Sequence, residues 1–204
     1  MVKTKSPFSP GGEEQDEGAT GDYIPIFARL TVTKTNKQQR QQLRQLAWRH
    51  PAGWLALGFG SGLSPVAPGT AGSAMALLLA WLWLQLLAWL DWPLLSLSLS
   101  MIALIFVLGV LSSDVVCKKL NSHDHSAVVV DEFVGQWLVL LLVPVSISGW
   151  LAAFLLFRLF DISKPWPIRA ADRHIQGGIG VMLDDVLAAG YAMLVMVLIQ
   201  LLTG

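Results

Sequence analysis

The sequence predicts an all-α protein that crosses a membrane several times, with about four to five membrane-embedded helices. Three observations predict this fold class. Hydrophobic residues make up 54% of the chain. Charged residues make up only 14%, whereas roughly 25% is usual in globular proteins. Uncharged stretches of about 20 residues, long enough to cross a bilayer core, recur along the chain. This composition excludes a disordered chain and a nucleic-acid binder driven by bulk positive charge, and the single cysteine excludes a disulfide scaffold.

Charge is segregated along the chain, although the formal net charge is zero. Residues 1–26 are acidic, whereas residues 27–50 carry six basic and no acidic side chains. Because apolar periodicity is missing there, we predict a disordered extension at residues 1–34. Residues 35–50 predict a basic helix, which either lies on anionic lipid or simply precedes the membrane body in solvent. Residues 51–204 then form the membrane-embedded domain.

The domain begins with a glycine-, serine- and proline-rich stretch, GFGSGLSPVAPGTAGS at residues 58–73. We predict a re-entrant or Gly-rich loop there. Polar loops are expected at residues 114–132 and 161–185. A break is expected at Pro144, and the third apolar segment is too short to span a bilayer alone. The predicted apolar segments lie at residues 71–90, 94–113, 133–143, 146–160 and 186–202.

The basic residues predict the orientation in the membrane. All 14 lysines and arginines lie in residues 1–50, 114–132 or 158–173. Because lysine and arginine concentrate in cytoplasmic loops, these segments are expected on the cytoplasmic side. The turns at residues 91–93 and 144–149 are expected on the opposite side. All the candidate chemistry therefore faces the cytoplasm, at the depth of the lipid headgroups.

Two adjacent carboxylates, Asp131 and Glu132, open an apolar helix. A helix N-terminus favours anionic side chains, so one interpretation is simple capping. Two carboxylates at the start of a membrane segment also suit a hard cation held by oxygen atoms, such as Mg²⁺. Charges inside a membrane protein are costly, which makes a functional role the stronger hypothesis.

A second cluster comprises Arg158, Asp161 and Lys164, which repeat every third residue and so adjoin on a helix. Pro165 and Pro167 are expected to end that helix. The structural interpretation is an Arg–Asp pair with a lysine at a helix C-terminus. The functional interpretation is one carboxylate for a metal and two cations for phosphate oxygens.

Glycines accompany two further candidate groups. Asp184 and Asp185 follow Gly177-Gly178-Ile179-Gly180 at the predicted mouth of the last span, where they either cap a helix or bind a ligand. In the glycine-rich loop, Thr70 and Ser73 are expected to precede or cap the first span. Backbone N–H groups of such a loop can hold phosphate, although no lysine follows as in a nucleotide P-loop.

Histidine and cysteine chemistry is less well supported. The triplet His123-Asp124-His125 either binds a transition metal from a loop or has a surface role. Cys117 is not followed six residues later by arginine, which argues against a cysteine phosphatase.

The carboxylates of the candidate groups would repel one another unless a divalent cation neutralised them. The sequence therefore favours phosphoryl transfer at a metal site.

Four stretches together resemble the phosphatidylglycerophosphatase A family. The resemblance covers the chain from residue 53 onward, in order and with apolar segments between the motifs. No departure from the family pattern is evident in this part. The matching stretches are GFGSGLSPVAPGTAGS (58–73), HDHSAVVVDEFVGQW (123–137), FRLFDISKPWPI (157–168) and GGIGVMLDDVLAAGY (177–191).

The resemblance implies a helical, Mg²⁺-dependent lipid phosphatase of the bacterial inner membrane. Such an enzyme cleaves phosphatidylglycerophosphate to phosphatidylglycerol and phosphate in phospholipid biosynthesis. Its partners would be this lipid and the surrounding membrane lipids, with no nucleic acid. Arg158 and Lys164 would lie near phosphate, with Thr70 and Ser73 as further candidate substrate contacts from the glycine-rich loop. The metal-binding and catalytic carboxylates would be Asp131, Glu132, Asp161, Asp184 and Asp185.

Three alternatives remain open at this stage. The nucleophile is either a metal-activated water or an aspartate that forms an acyl phosphate. A small ion or proton carrier would use the same acids as a relay, but would place them in mid-membrane. A non-catalytic lipid-binding subunit would bind the same lipid without releasing phosphate.

Overall fold

The computed structural model describes residues 41–120 and 125–203, and this part of the chain is helical without strands. The predicted extension at residues 1–34, the first part of the predicted basic helix, and His123 and Asp124 lie outside the described residues. Residues 41–49 form helix α1, which ends before Pro51 as expected. Leu43 and Ala47 of α1 pack against the body of the protein.

Seven further α-helices and one 3₁₀-helix follow in the described part of residues 51–203. The 3₁₀-helix spans Gly58–Leu63. Within the described residues, three helices are long and apolar enough to cross a membrane, namely α3 (Pro68–Trp89), α4 (Leu94–Leu120) and α8 (Gly177–Thr203). Many large apolar side chains on the outside are exposed, as expected for a surface in contact with lipid. The α-helices are α2 (Pro51–Ala56), α3 (Pro68–Trp89), α4 (Leu94–Leu120), α5 (Val130–Leu140), α6 (Ile147–Ser163), α7 (Ile168–His174) and α8 (Gly177–Thr203).

Helix α5 lies at the centre of the molecule. Nine of its 11 residues are buried. Eleven residues extend only about 16 Å, which is too short to cross a bilayer core. In the structure, α3, α4, α6 and α8 pack around α5. Neighbouring helices therefore surround this short segment.

Two predicted loops are partly wrong. Helix α4 continues to Leu120, and α8 begins at Gly177, nine residues before the predicted start. The reason lies in contacts between these two helices. A Cβ atom on Gly178 would collide with the backbone carbonyl of Val110, and the N–H of Gly178 donates to Asp114 Oδ1 at 2.5 Å. Close packing thus keeps glycine-rich and polar residues helical.

The start of α3 also differs from the prediction. The helix begins at Pro68, a residue whose fixed φ and missing N–H suit the first helical position. Thr70 and Ser73 therefore lie inside the first two turns and do not cap the span. The predicted flexible loop is largely replaced by the 3₁₀-helix and this early start.

Alternation of the helices brings their chemically important ends together. The break at Pro144 is confirmed, since α6 begins at Ile147 after Ser146, which accepts a hydrogen bond from the N–H of Gly149 at 3.1 Å. Helix α5 therefore runs away from the site and α6 returns to it. The first turns of α5 and α8 and the end of α6 contribute charged side chains to one group, and the start of α3 packs against it.

Candidate metal and phosphate site

Three aspartates from two helices form the centre of the site. Asp131 lies in the first turn of α5, and Asp184 and Asp185 lie in α8. One ligand oxygen from each lies within 4.8 Å of the others. Asp184 and Asp185 are both buried. Gly135 lets the helices approach, because a Cβ atom there would lie 3.1 Å from the backbone carbonyl oxygen of Asp185.

The three-aspartate cluster fits a divalent metal ion. Asp185 Oδ2 is buried and has no hydrogen-bond partner within residues 41–120 and 125–203. Buried carboxylates this close repel one another unless a positive charge lies between them. Oxygen atoms of carboxylates are also the ligands that Mg²⁺ prefers. The capping interpretation of Asp184 and Asp185 is wrong, because α8 begins about two turns earlier, at Gly177.

The two remaining predicted carboxylates bind Arg158. Arg158 Nη1 lies 3.3 Å from Glu132 Oε1 and 2.5 Å from Asp161 Oδ2. All three side chains are at most 15% exposed. Glu132 nevertheless follows directly on Asp131 in the first turn of α5, so the two groups of carboxylates adjoin. The structure thus brings all five carboxylates together, but in two groups: the three-aspartate cluster and the Arg158 triad, Glu132–Arg158–Asp161.

The first turns of α3 cover the Arg158 triad. A Cβ atom on Gly72 would lie 2.7 Å from Glu132 Oε2, and one on Gly69 would collide with Glu132 and Arg158. The two glycines therefore allow the α3 backbone to approach buried charges. Thr70 is exposed, whereas Ser73 is fully buried and donates its hydroxyl to the carbonyl of Gly69 at 3.1 Å.

Lys164 connects the three-aspartate cluster with α7. It caps the C-terminus of α6 in a left-handed conformation, with φ of 40°. Its Nζ atom lies 2.5 Å from Asp184 Oδ2 and 3.0 Å from Asp172 Oδ1. Burial would lower the pKa of Lys164, but hydrogen bonds and attraction from Asp184 and Asp172 outweigh it and raise the pKa above its ordinary value. Lys164 therefore stays positively charged beside the carboxylates.

Two contributing residues were not predicted as site residues, Asp172 and Asp114. Asp172 and Asp184 both pair with Lys164, and Asp114 accepts a hydrogen bond from the N–H of Gly178 at the start of α8. Both are acids in a body that carries only nine, which is the one signal that the sequence offers for them. His125 accepts a hydrogen bond from the N–H of Ala127 at 3.2 Å and, among the described residues, no histidine belongs to the three-aspartate cluster.

Comparison with known proteins identifies the family. The family model of phosphatidylglycerophosphatase A matches residues 54–200. This chain belongs to the phosphatidylglycerophosphatase A family. The resemblance based on the four sequence stretches is therefore confirmed. Family membership makes the protein an enzyme, a phosphatase, and its apolar helices make it a membrane protein.

Curated relatives of the phosphatidylglycerophosphatase A family cover most of the chain. The phosphatidylglycerophosphatase A of Escherichia coli is 43% identical over 71% of this chain and 80% of its own length. That of Haemophilus influenzae is 42% identical over 79% and 96%. A Bacteroides thetaiotaomicron protein, provisionally named phosphatidylinositol-3-phosphatase, is 39% identical over 74% and 94%. No solved structure matches this chain.

Proposed function

We propose that this protein hydrolyses phosphatidylglycerophosphate to phosphatidylglycerol and phosphate, with Mg²⁺ as its cofactor. The observation that carries the proposal is the three-aspartate cluster, whose ligand oxygens lie within 4.8 Å of one another beside Lys164. The names of the two relatives above 40% identity support the choice of substrate. The step belongs to phospholipid biosynthesis.

The contacts of each residue indicate the role that we propose for it. Asp131, Asp184 and Asp185 would hold the metal ion. A divalent ion there would supply positive charge to the phosphate and lower the pKa of a bound water. Lys164 would contact a phosphate oxygen, because it is a charged ammonium at the edge of the cluster. Glu132 and Asp161 would hold Arg158 in one orientation, close to where the phosphate binds.

Burial of the carboxylates favours this chemistry. Asp184 and Asp185 are 6% and 2% exposed, so bulk water is largely excluded from them. Electrostatic interactions are stronger where water is excluded, which increases the effect of Lys164 and Arg158 on a charged phosphate. Both nucleophiles considered above, a water molecule and an aspartate, are compatible with this arrangement.

We further propose that the site faces the cytoplasm in the bacterial inner membrane. Lys118 and Lys119 at the end of α4 and Lys164 at the end of α6 support this orientation, because positive residues concentrate on the cytoplasmic side. The carboxylates lie towards helix ends and not halfway along a span: Asp131 opens α5, and Asp161 lies in the last turn of α6. That position favours a headgroup-cleaving enzyme over an ion or proton carrier.

Phosphate release by the pure protein tests the proposal. The protein in detergent is mixed with phosphatidylglycerophosphate, and inorganic phosphate is measured with Mg²⁺, with Ca²⁺ and with excess EDTA. We expect release with Mg²⁺, poor release with Ca²⁺, which prefers longer bonds and more ligands, and none with EDTA. A carrier or a lipid-binding subunit would release no phosphate under any of these conditions, and that result would reject the proposal.

A further inference from the structure

A cavity of about 220 Å³ lies between the end of α7 and the first turns of α8. We call it the α7–α8 cavity. Asp172, Arg173 and Gln176 line its polar side. By the same measure of volume, a single water molecule needs only about 10–15 Å³. The cavity is therefore large enough for a polar group of several heavy atoms.

The α7–α8 cavity is joined to the proposed metal site. Asp172, which lines it, binds the same Lys164 ammonium as Asp184, at 3.0 Å and 2.5 Å respectively. Gly180, which also lines it, lies four residues before Asp184 and so on the same face of α8. A molecule whose phosphate lies at Lys164 and Asp184 can therefore extend into the cavity.

The polar wall combines groups that suit a phosphodiester and a hydroxyl. Arg173 forms no ion pair with any carboxylate in the described part of the chain. A guanidinium can donate two parallel hydrogen bonds to phosphate oxygens. The Asp172 carboxylate accepts hydrogen bonds from hydroxyl groups, and the Gln176 carboxamide both accepts and donates them.

Apolar side chains border the same cavity. Ile175 lines it and is 37% exposed, and the nearby Ile179 on α8 is 55% exposed. Ile179 lies in the first turn of α8, a candidate membrane span, and Ile175 lies two residues before that helix. A cavity with a polar wall and an exposed apolar border at this point suits a ligand that is itself polar at one end and apolar at the other.

We propose that the α7–α8 cavity binds the unreactive part of the lipid headgroup. Arg173 binds the phosphodiester, and Asp172 and Gln176 bind the hydroxyl of the glycerol that separates it from the phosphomonoester. This proposal rests on the proposed function, since it places the reacting phosphomonoester at Lys164. The cavity would make the enzyme selective for lipids that carry both a phosphodiester and a phosphomonoester.

Two inhibitors distinguish binding of the lipid headgroup from binding of free phosphate. Phosphatidylglycerol carries the phosphodiester and the glycerol but no phosphomonoester, whereas inorganic phosphate carries neither diester nor glycerol. In Arg173→Gln, we expect kcat/KM for phosphatidylglycerophosphate to fall about tenfold or more, because a hydrogen bond to a charged group is lost. Inhibition by phosphatidylglycerol should weaken by a similar factor, and inhibition by inorganic phosphate should stay within twofold of the parent.

The control is Lys119→Gln, which removes one exposed positive charge at the end of α4, outside the cavity. It should change none of the three measurements. Unchanged inhibition by phosphatidylglycerol in Arg173→Gln, or an equal loss of inhibition by inorganic phosphate, would overturn the proposal. If the parent protein releases no phosphate, the proposed function fails. Direct binding of phosphatidylglycerol micelles to parent and Arg173→Gln then still tests the cavity, with weaker binding by the variant expected.

Discussion

Removal of Arg158 should destabilise the fold more than removal of any exposed cation. The side chains of Glu132 and Asp161 are only 9% and 15% exposed. In Arg158→Met these two carboxylates lose their shared partner. Loss of one member of a buried ion pair typically costs about 3–5 kcal/mol. For a chain of this size, each kcal/mol lowers the melting temperature by about 2–4 °C. The expected decrease is therefore on the order of 10 °C.

Thermal unfolding in detergent measures this decrease through the fluorescence of the nine tryptophans. Excess EDTA keeps metal binding from contributing to stability. Arg169→Met is the matched control, because the Arg169 side chain is exposed and donates a hydrogen bond to the carbonyl of Ser163, at 3.3 Å, with no ion pair among the described residues. Neutralising Glu132 and Asp161 as Gln and Asn in the Arg158→Met background should restore most of the loss. A melting temperature for Arg158→Met within about 2 °C of the parent would refute this reasoning.

Two further predictions concern packing and orientation. Gly178→Ala should lower the melting temperature, because its Cβ atom would collide with a backbone carbonyl of α4. Gly190→Ala has open space around its Cβ atom and should stabilise α8 by about 0.5–1 kcal/mol. Equal melting temperatures for the two variants would contradict this prediction. In a Cys117→Ser background, an impermeant thiol reagent applied to cells with a permeabilised outer membrane should label Trp92→Cys and spare Lys119→Cys until the cells are lysed. The reverse labelling pattern would show that the orientation is inverted.

The sequence predicts the helices of this fold better than their ends. Long uncharged stretches identify α3, α4 and α8 because the bilayer sets both their length and their composition. The start of α8 escapes prediction, since Gly177 and Gly178 usually weaken helices. Here close contact with α4 and the hydrogen bond to Asp114 stabilise the helix start. Contacts of this kind between distant segments are invisible in a local sequence pattern.

The candidate site is likewise predicted only in part by the sequence. The sequence predicts that five carboxylates converge, because they lie at segment ends that alternate across the membrane. It does not predict that Glu132 turns towards Arg158 while its neighbour Asp131 turns towards Asp184. Adjacent residues on a helix point about 100° apart, so the rotation of α5 against α6 and α8 decides which partner each one meets. Asp172 escapes prediction because Pro165 and Pro167 redirect the chain before it returns to Lys164.

The dependence of phosphate release on Mg²⁺ concentration tests the central claim most directly. We expect Asp131→Asn, Asp184→Asn and Asp185→Asn to lower turnover by roughly a hundredfold or more, with partial rescue by higher Mg²⁺. Lys164→Gln should also lower turnover, but extra Mg²⁺ should not restore it, because the lost contact is to phosphate. Cys117→Ser should behave as the parent does. Full activity of the parent in excess EDTA, or near-normal turnover in all three aspartate variants, would contradict the metal-dependent mechanism.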